Sequence, residues 1–136
     1  FWRYITPYFP EAEWQGSIQN SDRIEFLCGD FQVALALATD DDVVYCDPPY
    51  VPLSTTASFT AYAKGGFNLD DQNRLAQAAK ETAEQSQGVL ISNHDTAFTR
   101  EIYKDARLAL IDVQRNIAAK GSSRQKVGEL LAVYGE

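Results

Sequence analysis

No stretch of this chain has enough consecutive apolar residues to cross a membrane, and no internal repeat marks a solenoid or array. Methionine is absent, histidine occurs once, and the two cysteines, Cys28 and Cys46, lack the spacing of a metal site. His94 has no second ligand pair beside it, so no metal is expected. Each cysteine is flanked by apolar residues in a candidate strand, which predicts two buried free thiols. The opening Phe1-Trp2-Arg3 carries no signal-peptide pattern. A soluble, cytoplasmic protein is the expectation, and 136 residues with 45% apolar content suffice for one modest core.

Positive charge is also scarce. The formal net charge is −7, which on its face argues against a nucleic-acid partner. Distribution reverses that argument, because no acid occurs between Val113 and Gly128, where Arg115, Lys120, Arg124 and Lys126 all fall. The remaining eight of the twelve bases share the rest of the chain with all nineteen acids. Ser122 and Ser123 beside Gly121 add hydroxyl and backbone donors suited to phosphate. The strip reads either as a DNA-facing surface on an acidic body or as an ordinary solvated face.

The apolar pattern alternates between strand and helix periods. Residues 1–12 are aromatic and proline-punctuated, and read as the end of a separate surface element. Ile24 to Cys28 is a short strand candidate, and Phe31 to Leu37 a helix. Val43 to Cys46 is a second strand, followed by a long Ser, Thr and Gly-rich loop from Val51 to Gly66. Asn68 is a candidate N-cap, with Asp70 and Asp71 in the first turn of an Ala-rich helix reaching about Ser86. Gly88 to Ser92, Leu108 to Val113 and Leu130 to Tyr134 complete the strands, with a helix over 96–105. Strands and helices in this order predict an α/β sheet with helices on both faces.

The strand Val43-Val44-Tyr45-Cys46 runs directly into Asp47-Pro48-Pro49-Tyr50. Two prolines stop strand pairing and fix the turn, at the sheet end where α/β proteins gather ligands. The groups fit the methylation of an exocyclic amine. Such a nitrogen is a poor nucleophile because its lone pair is delocalised into the ring. The Asp47 carboxylate and the Pro48 carbonyl can each accept one N–H, Pro49 holds that carbonyl in one direction, and the Tyr50 ring can stack on a base taken out of a duplex. Taken alone, the tetrapeptide also reads as a strand-ending Asp-Pro turn.

Together with Val51-Pro52-Leu53-Ser54, Phe59-Thr60-Ala61-Tyr62, Ile91-Ser92-Asn93-His94-Asp95-Thr96 and the basic stretch from Arg115 to Lys126, the tetrapeptide strongly resembles the Dam family of DNA adenine-N6 methyltransferases. The likeness covers nearly the whole chain. It implies part of a Rossmann-like sheet, S-adenosylmethionine as cofactor, and a monomer acting on double-stranded DNA, at GATC-like sites, after base flipping. Asp47, Pro48, Pro49 and Tyr50 become the catalytic motif. Asp30 and Phe31, in Cys28-Gly29-Asp30-Phe31, resemble the segment lining the cofactor's adenine pocket, with Asp47 near its methionine end. Arg3 and Tyr4 resemble the exit of the target-recognition hairpin, although Trp2 stands where several relatives carry glycine. Ser54, Arg115, Lys120, Arg124 and Lys126 are the remaining DNA-contact candidates. Phe59 and Tyr62 suit pocket walls or core, and His94 the active-site rim.

The family's cofactor loop has a pattern similar to Phe-x-Gly-x-Gly, and no Gly-x-Gly occurs among the eight glycines here. The expectation is therefore the C-terminal half of a longer enzyme, with residues 1–12 ending a target-recognition element and 13–136 forming the second half of the catalytic domain. Cytosine-N4 methylation and a non-catalytic DNA-binding module are the competing readings.

Overall fold

The computed structural model describes residues 15, 19–53, 66–113 and 127–135. After a 3-10 turn at Ser21–Arg23 come α1 (Phe31–Leu35), β1 (Val43–Cys46), α2 (Leu69–Ala83), β2 (Gly88–His94), α3 (Ala97–Ile102), β3 (Arg107–Val113) and β4 (Val127–Tyr134). The four strands form one mixed sheet in the order β1-β2-β4-β3. β1 and β2 are parallel, and β4 is antiparallel to both of its neighbours. A parallel pair needs a crossover connection, and α2 lies in the one that links β1 to β2.

The core follows from the two periods. Along β1, Val44 and Cys46 turn toward the core while Val43 and Tyr45 are exposed. Val89 and Ile91 of β2 and Leu130, Ala132 and Tyr134 of β4 present the same buried face. Leu75, Ala76 and Ala79 of α2 meet them at the i, i+3, i+4 spacing of a helix stripe, joined by Leu35 and Tyr103. Burying each large apolar side chain stabilises by about 1.5–3 kcal/mol. At the start of β2, Gly88 has φ +155°, and a Cβ there would stand 3.0 Å from the Tyr134 carbonyl oxygen.

The structure fixes each helix start through a cap. Asn68 accepts from the backbone N–H groups of Asp70 and Asp71, and Asp71 accepts from the Asn68 N–H, a reciprocal capping box. Thr96 and Thr99 do the same for α3. The helices end earlier than their composition suggests, α1 at Leu35 and α2 at Ala83. β2 instead runs on to His94, and β4 starts at Val127.

Three expectations are corrected or narrowed. Residues 24–28 are not a strand: they find no ladder partner among the described residues, and Phe26 stays 92% exposed. Cys28 is accordingly exposed, while Cys46 is partly buried, and burial pushes its thiol up; both are free. All three described helices join the core on one face of the sheet, whereas Val43 and Tyr45 point from the other.

Candidate active site

The parallel register pairs Val43 with Gly88 through Cys46 with Ile91, so one further step sets Asp47 level with Ser92. The turn that follows is anchored at Pro49 and Val51. Gln72 of α2 donates from Nε2 to the Pro49 carbonyl at 2.7 Å. The Val51 N–H donates to Asn93 Oδ1 at 2.9 Å, and His94 Nδ1 donates to the Val51 carbonyl at 2.7 Å. Because a carbonyl only accepts, that bond fixes the proton on Nδ1. The His94 ring also meets the Tyr50 ring edge-on, with centroids 5.0 Å apart at 82°.

Gln72, Asn93 and Tyr103 form a buried polar cluster beneath the turn. Asn93 Nδ2 donates to Gln72 Oε1 at 3.1 Å and to the Tyr103 hydroxyl at 3.2 Å, and Tyr103 donates to Gln72 Oε1 at 3.3 Å. Asn93 and Tyr103 are fully buried and Gln72 nearly so. Each partner therefore removes a desolvation cost of about 1–3 kcal/mol that an unpaired group would carry. Burial pushes the Tyr103 hydroxyl up to about 12, so it remains a neutral donor.

These anchors leave two acceptors open. Ser92 donates to Asp47 Oδ1 at 2.9 Å, and Tyr45 donates to Ser92 at 3.0 Å. Among the described residues, no hydrogen bond reaches Asp47 Oδ2 or the Pro48 carbonyl. Asp47 is exposed and Tyr50 half-buried at its side. Burial first, and then nearby negative charge including Asp47, raises the Tyr50 hydroxyl above its ordinary value, so the ring stays uncharged.

Behind Asp47 lies a cavity of about 290 Å³, at the small end of ligand pockets. Phe31, Phe67, Val44, Asp47 and Pro48 are among its walls. The rings of Phe31 and Phe67 stand 5.5 Å apart, and the Arg74 guanidinium lies 4.9 Å over Phe31. Asp30 is not a lining residue. Its Oδ2 pairs with Arg74 at 2.8 Å, its Oδ1 caps α1 through Gln32 N–H, and these bonds, Arg74 first, hold its carboxyl below the usual range. The cavity thus combines an aromatic, apolar wall with a carboxylate at one end.

Residues 1–117 match the family of D12 class N6 adenine-specific DNA methyltransferases. The chain belongs to that family. It is 49% identical over 135 residues to the DNA adenine methylase of Vibrio cholerae, a match covering 98% of this chain and 49% of that protein. It is 48% identical over 134 residues to the DNA adenine methylase of Escherichia coli strain K12, and 46% identical over 136 residues to that of Haemophilus influenzae. Those matches cover 98% and 99% of this chain, and 48% of each relative. The chain spans about half the length of the curated relatives it matches.

For a D12 class member, the structure brings together Asp47, Pro48, Pro49, Tyr50 and Phe31 and leaves Asp30 beside them. Arg3, Tyr4, Ser54, Phe59, Tyr62, Arg115, Lys120, Arg124 and Lys126 lie outside the described residues. His94 closes β2 against Tyr50, as its place in the sequence suggests. Sequence reasoning missed Ser92, Gln72 and Tyr103. Gln72 did leave a signal: it sits three residues before Leu75 and seven before Ala79, a polar residue on the apolar stripe of α2. Among the described residues no cluster of three metal-binding side chains occurs, and no helix is long and apolar enough to cross a membrane.

Proposed function

We propose that this chain carries the amine-activating centre of an enzyme that methylates adenine N6 in double-stranded DNA, at GATC-like sites, with S-adenosylmethionine as donor. The observation that carries the reading is a pair of acceptors, Asp47 Oδ2 and the Pro48 carbonyl, that no hydrogen bond reaches among the described residues, on a turn whose Pro49 carbonyl and Val51 N–H and carbonyl are engaged. Two acceptors match the two N–H groups of an exocyclic amine. Drawing on both N–H bonds concentrates electron density on the nitrogen, while Tyr50 offers its face to the extruded base.

The cavity beside Asp47 fits an adenosyl group, since Phe31 and Phe67 suit a flat heterocycle and Asp47 suits the positive sulfonium end. Bound S-adenosylmethionine would supply the electrophilic methyl group. Asp30, already paired, keeps lone-pair capacity for a further donor. The missing Gly-x-Gly loop and the match to about half of each relative support a longer enzyme, in which a Rossmann-like sheet gains its second helical layer and the rest of its cofactor site. Residues 1–12 then end its target-recognition element. In that enzyme Arg3, Tyr4, Ser54, Arg115, Lys120, Arg124 and Lys126 contact DNA, and the protein works as a cytoplasmic monomer.

The test is nucleoside mass spectrometry of duplex DNA treated with the full-length gene product and S-adenosylmethionine. N6-methyladenine is the expected product. N4-methylcytosine, or no methylated base, rejects the reading.

A further inference from the structure

We infer that Ser92 is a positioning residue: its hydroxyl, oriented by Tyr45, fixes which oxygen of the Asp47 carboxylate meets the substrate amine. The inference rests on the function proposed above and adds a residue to it.

Asp47 stands exposed at the end of β1, where its terminal torsion would otherwise be free, since the carboxylate rotation of Asp is broad and roughly two-fold. An unanchored carboxylate would exchange Oδ1 and Oδ2 and tilt away from the amine. Ser92 prevents this from the neighbouring strand. It is 5% exposed, one step beyond the last register pair, Cys46 with Ile91, and 2.9 Å from Oδ1.

The direction of the chain is forced. An ionised carboxylate only accepts, so the single Ser92 proton points to Oδ1. The hydrogen bond between Ser92 and Tyr45 must then use the Tyr45 proton. Protons run from Tyr45 to Ser92 to Asp47 Oδ1, and Oδ2 is left without a hydrogen bond among the described residues. The Tyr50 side chain also hydrogen-bonds Ser92, while its ring is held independently by the edge contact with His94. Ser92 touches neither base nor cofactor in this scheme, and its one proton acts on Asp47. Loss of its hydroxyl should slow the chemical step and spare binding.

The experiment compares wild-type, Ser92→Ala, Tyr45→Phe and the double variant of the full-length gene product, by single-turnover methylation of a duplex oligonucleotide. Ser92→Ala is expected to lower the methyl-transfer rate about 10-fold, with KM for DNA and for S-adenosylmethionine within about twofold of wild type. Tyr45→Phe alone should cost about threefold and cost nothing further in the Ser92→Ala background, because its effect passes through that hydroxyl. A Ser92→Ala rate equal to wild type, a loss confined to KM, or simple additivity of the two substitutions overturns the inference. Asp47→Ala separates the levels: wild-type methylation by that variant removes the proposed function itself, whereas an inactive Asp47→Ala beside a fully active Ser92→Ala removes only the positioning role.

Discussion

Gln72 ties the turn at Asp47–Tyr50 to the core, and the sequence announces it least. It links α2 to the Pro49 carbonyl and to Asn93, which in turn holds the Val51 N–H. Gln72→Leu keeps the volume but leaves the Pro49 carbonyl and one Asn93 proton without their partner. A loss of about 1–3 kcal/mol in unfolding free energy is expected by urea titration, because buried partners stay behind unsatisfied. Equal stability of the two proteins would show that the cluster is rebuilt by water or by Tyr103. At this scale, Asp47 to Tyr50 is legible in the sequence because its chemistry is contiguous. Ser92 lies 45 residues from Asp47, and Gln72 lies 23 from Pro49, so their roles exist only once the strands and α2 have come together.

Among the elements, α2 shows best how local sequence decides local structure. Its start is written in Asn68 and Asp71, whose reciprocal bonds satisfy donors that no preceding turn can reach. Asn68→Ala should lower stability by about 1 kcal/mol, seen as a lower denaturant midpoint with an unchanged slope. An unchanged midpoint would mean that packing of the helix on the sheet already fixes its first turn. β1 was also legible to the residue, since Val43-Val44-Tyr45-Cys46 is closed by Asp47 and two prolines. Residues 24–28 show why apolar alternation alone does not make a strand. Apolar alternation describes a segment ready to pair, and this one has no partner among the described residues. Helix ends were misplaced because alanine continues a helix as readily as it ends one, and the stop at Ala83 carries no glycine or proline signal.

Across the molecule, acidic side chains dominate, and several are tied to neighbouring bases. Arg100 donates to Asp95 with two bonds, one of 2.7 Å, and holds its carboxyl below the ordinary range. A carboxylate lowered on folding contributes stability above its unfolded value, near 3.8, and loses it as pH falls through the lower folded value. The difference in thermal midpoint between wild type and Arg100→Gln should therefore be present at pH 6 and close as pH falls through the lowered folded value of Asp95. A difference that persists undiminished in acid would assign Arg100 a packing role instead. The edge strand β1, with Val43 and Tyr45 at 64% and 61% exposure on the face opposite the described helices, bears on the same scale. Unpaired edges and open apolar faces invite association. The 136-residue chain alone should self-associate in size-exclusion chromatography and transfer little methyl, and brisk transfer by it would contradict the division of the site proposed here. That proposed division rests on one sequence signal, the absent Gly-x-Gly, whereas the face of the sheet that carries the described helices was not legible, because strand periodicity does not tell which face a helix will cover.

The central claim is that Asp47 and the Pro48 carbonyl activate the adenine amine, and Asp47→Ala in the full-length gene product tests it most directly. N6-methyladenine formed in a duplex oligonucleotide would be measured beside the variant's affinity for the same duplex. The account predicts loss of methylation by at least about 100-fold with DNA affinity within about threefold of wild type. Methylation at the wild-type rate would contradict it.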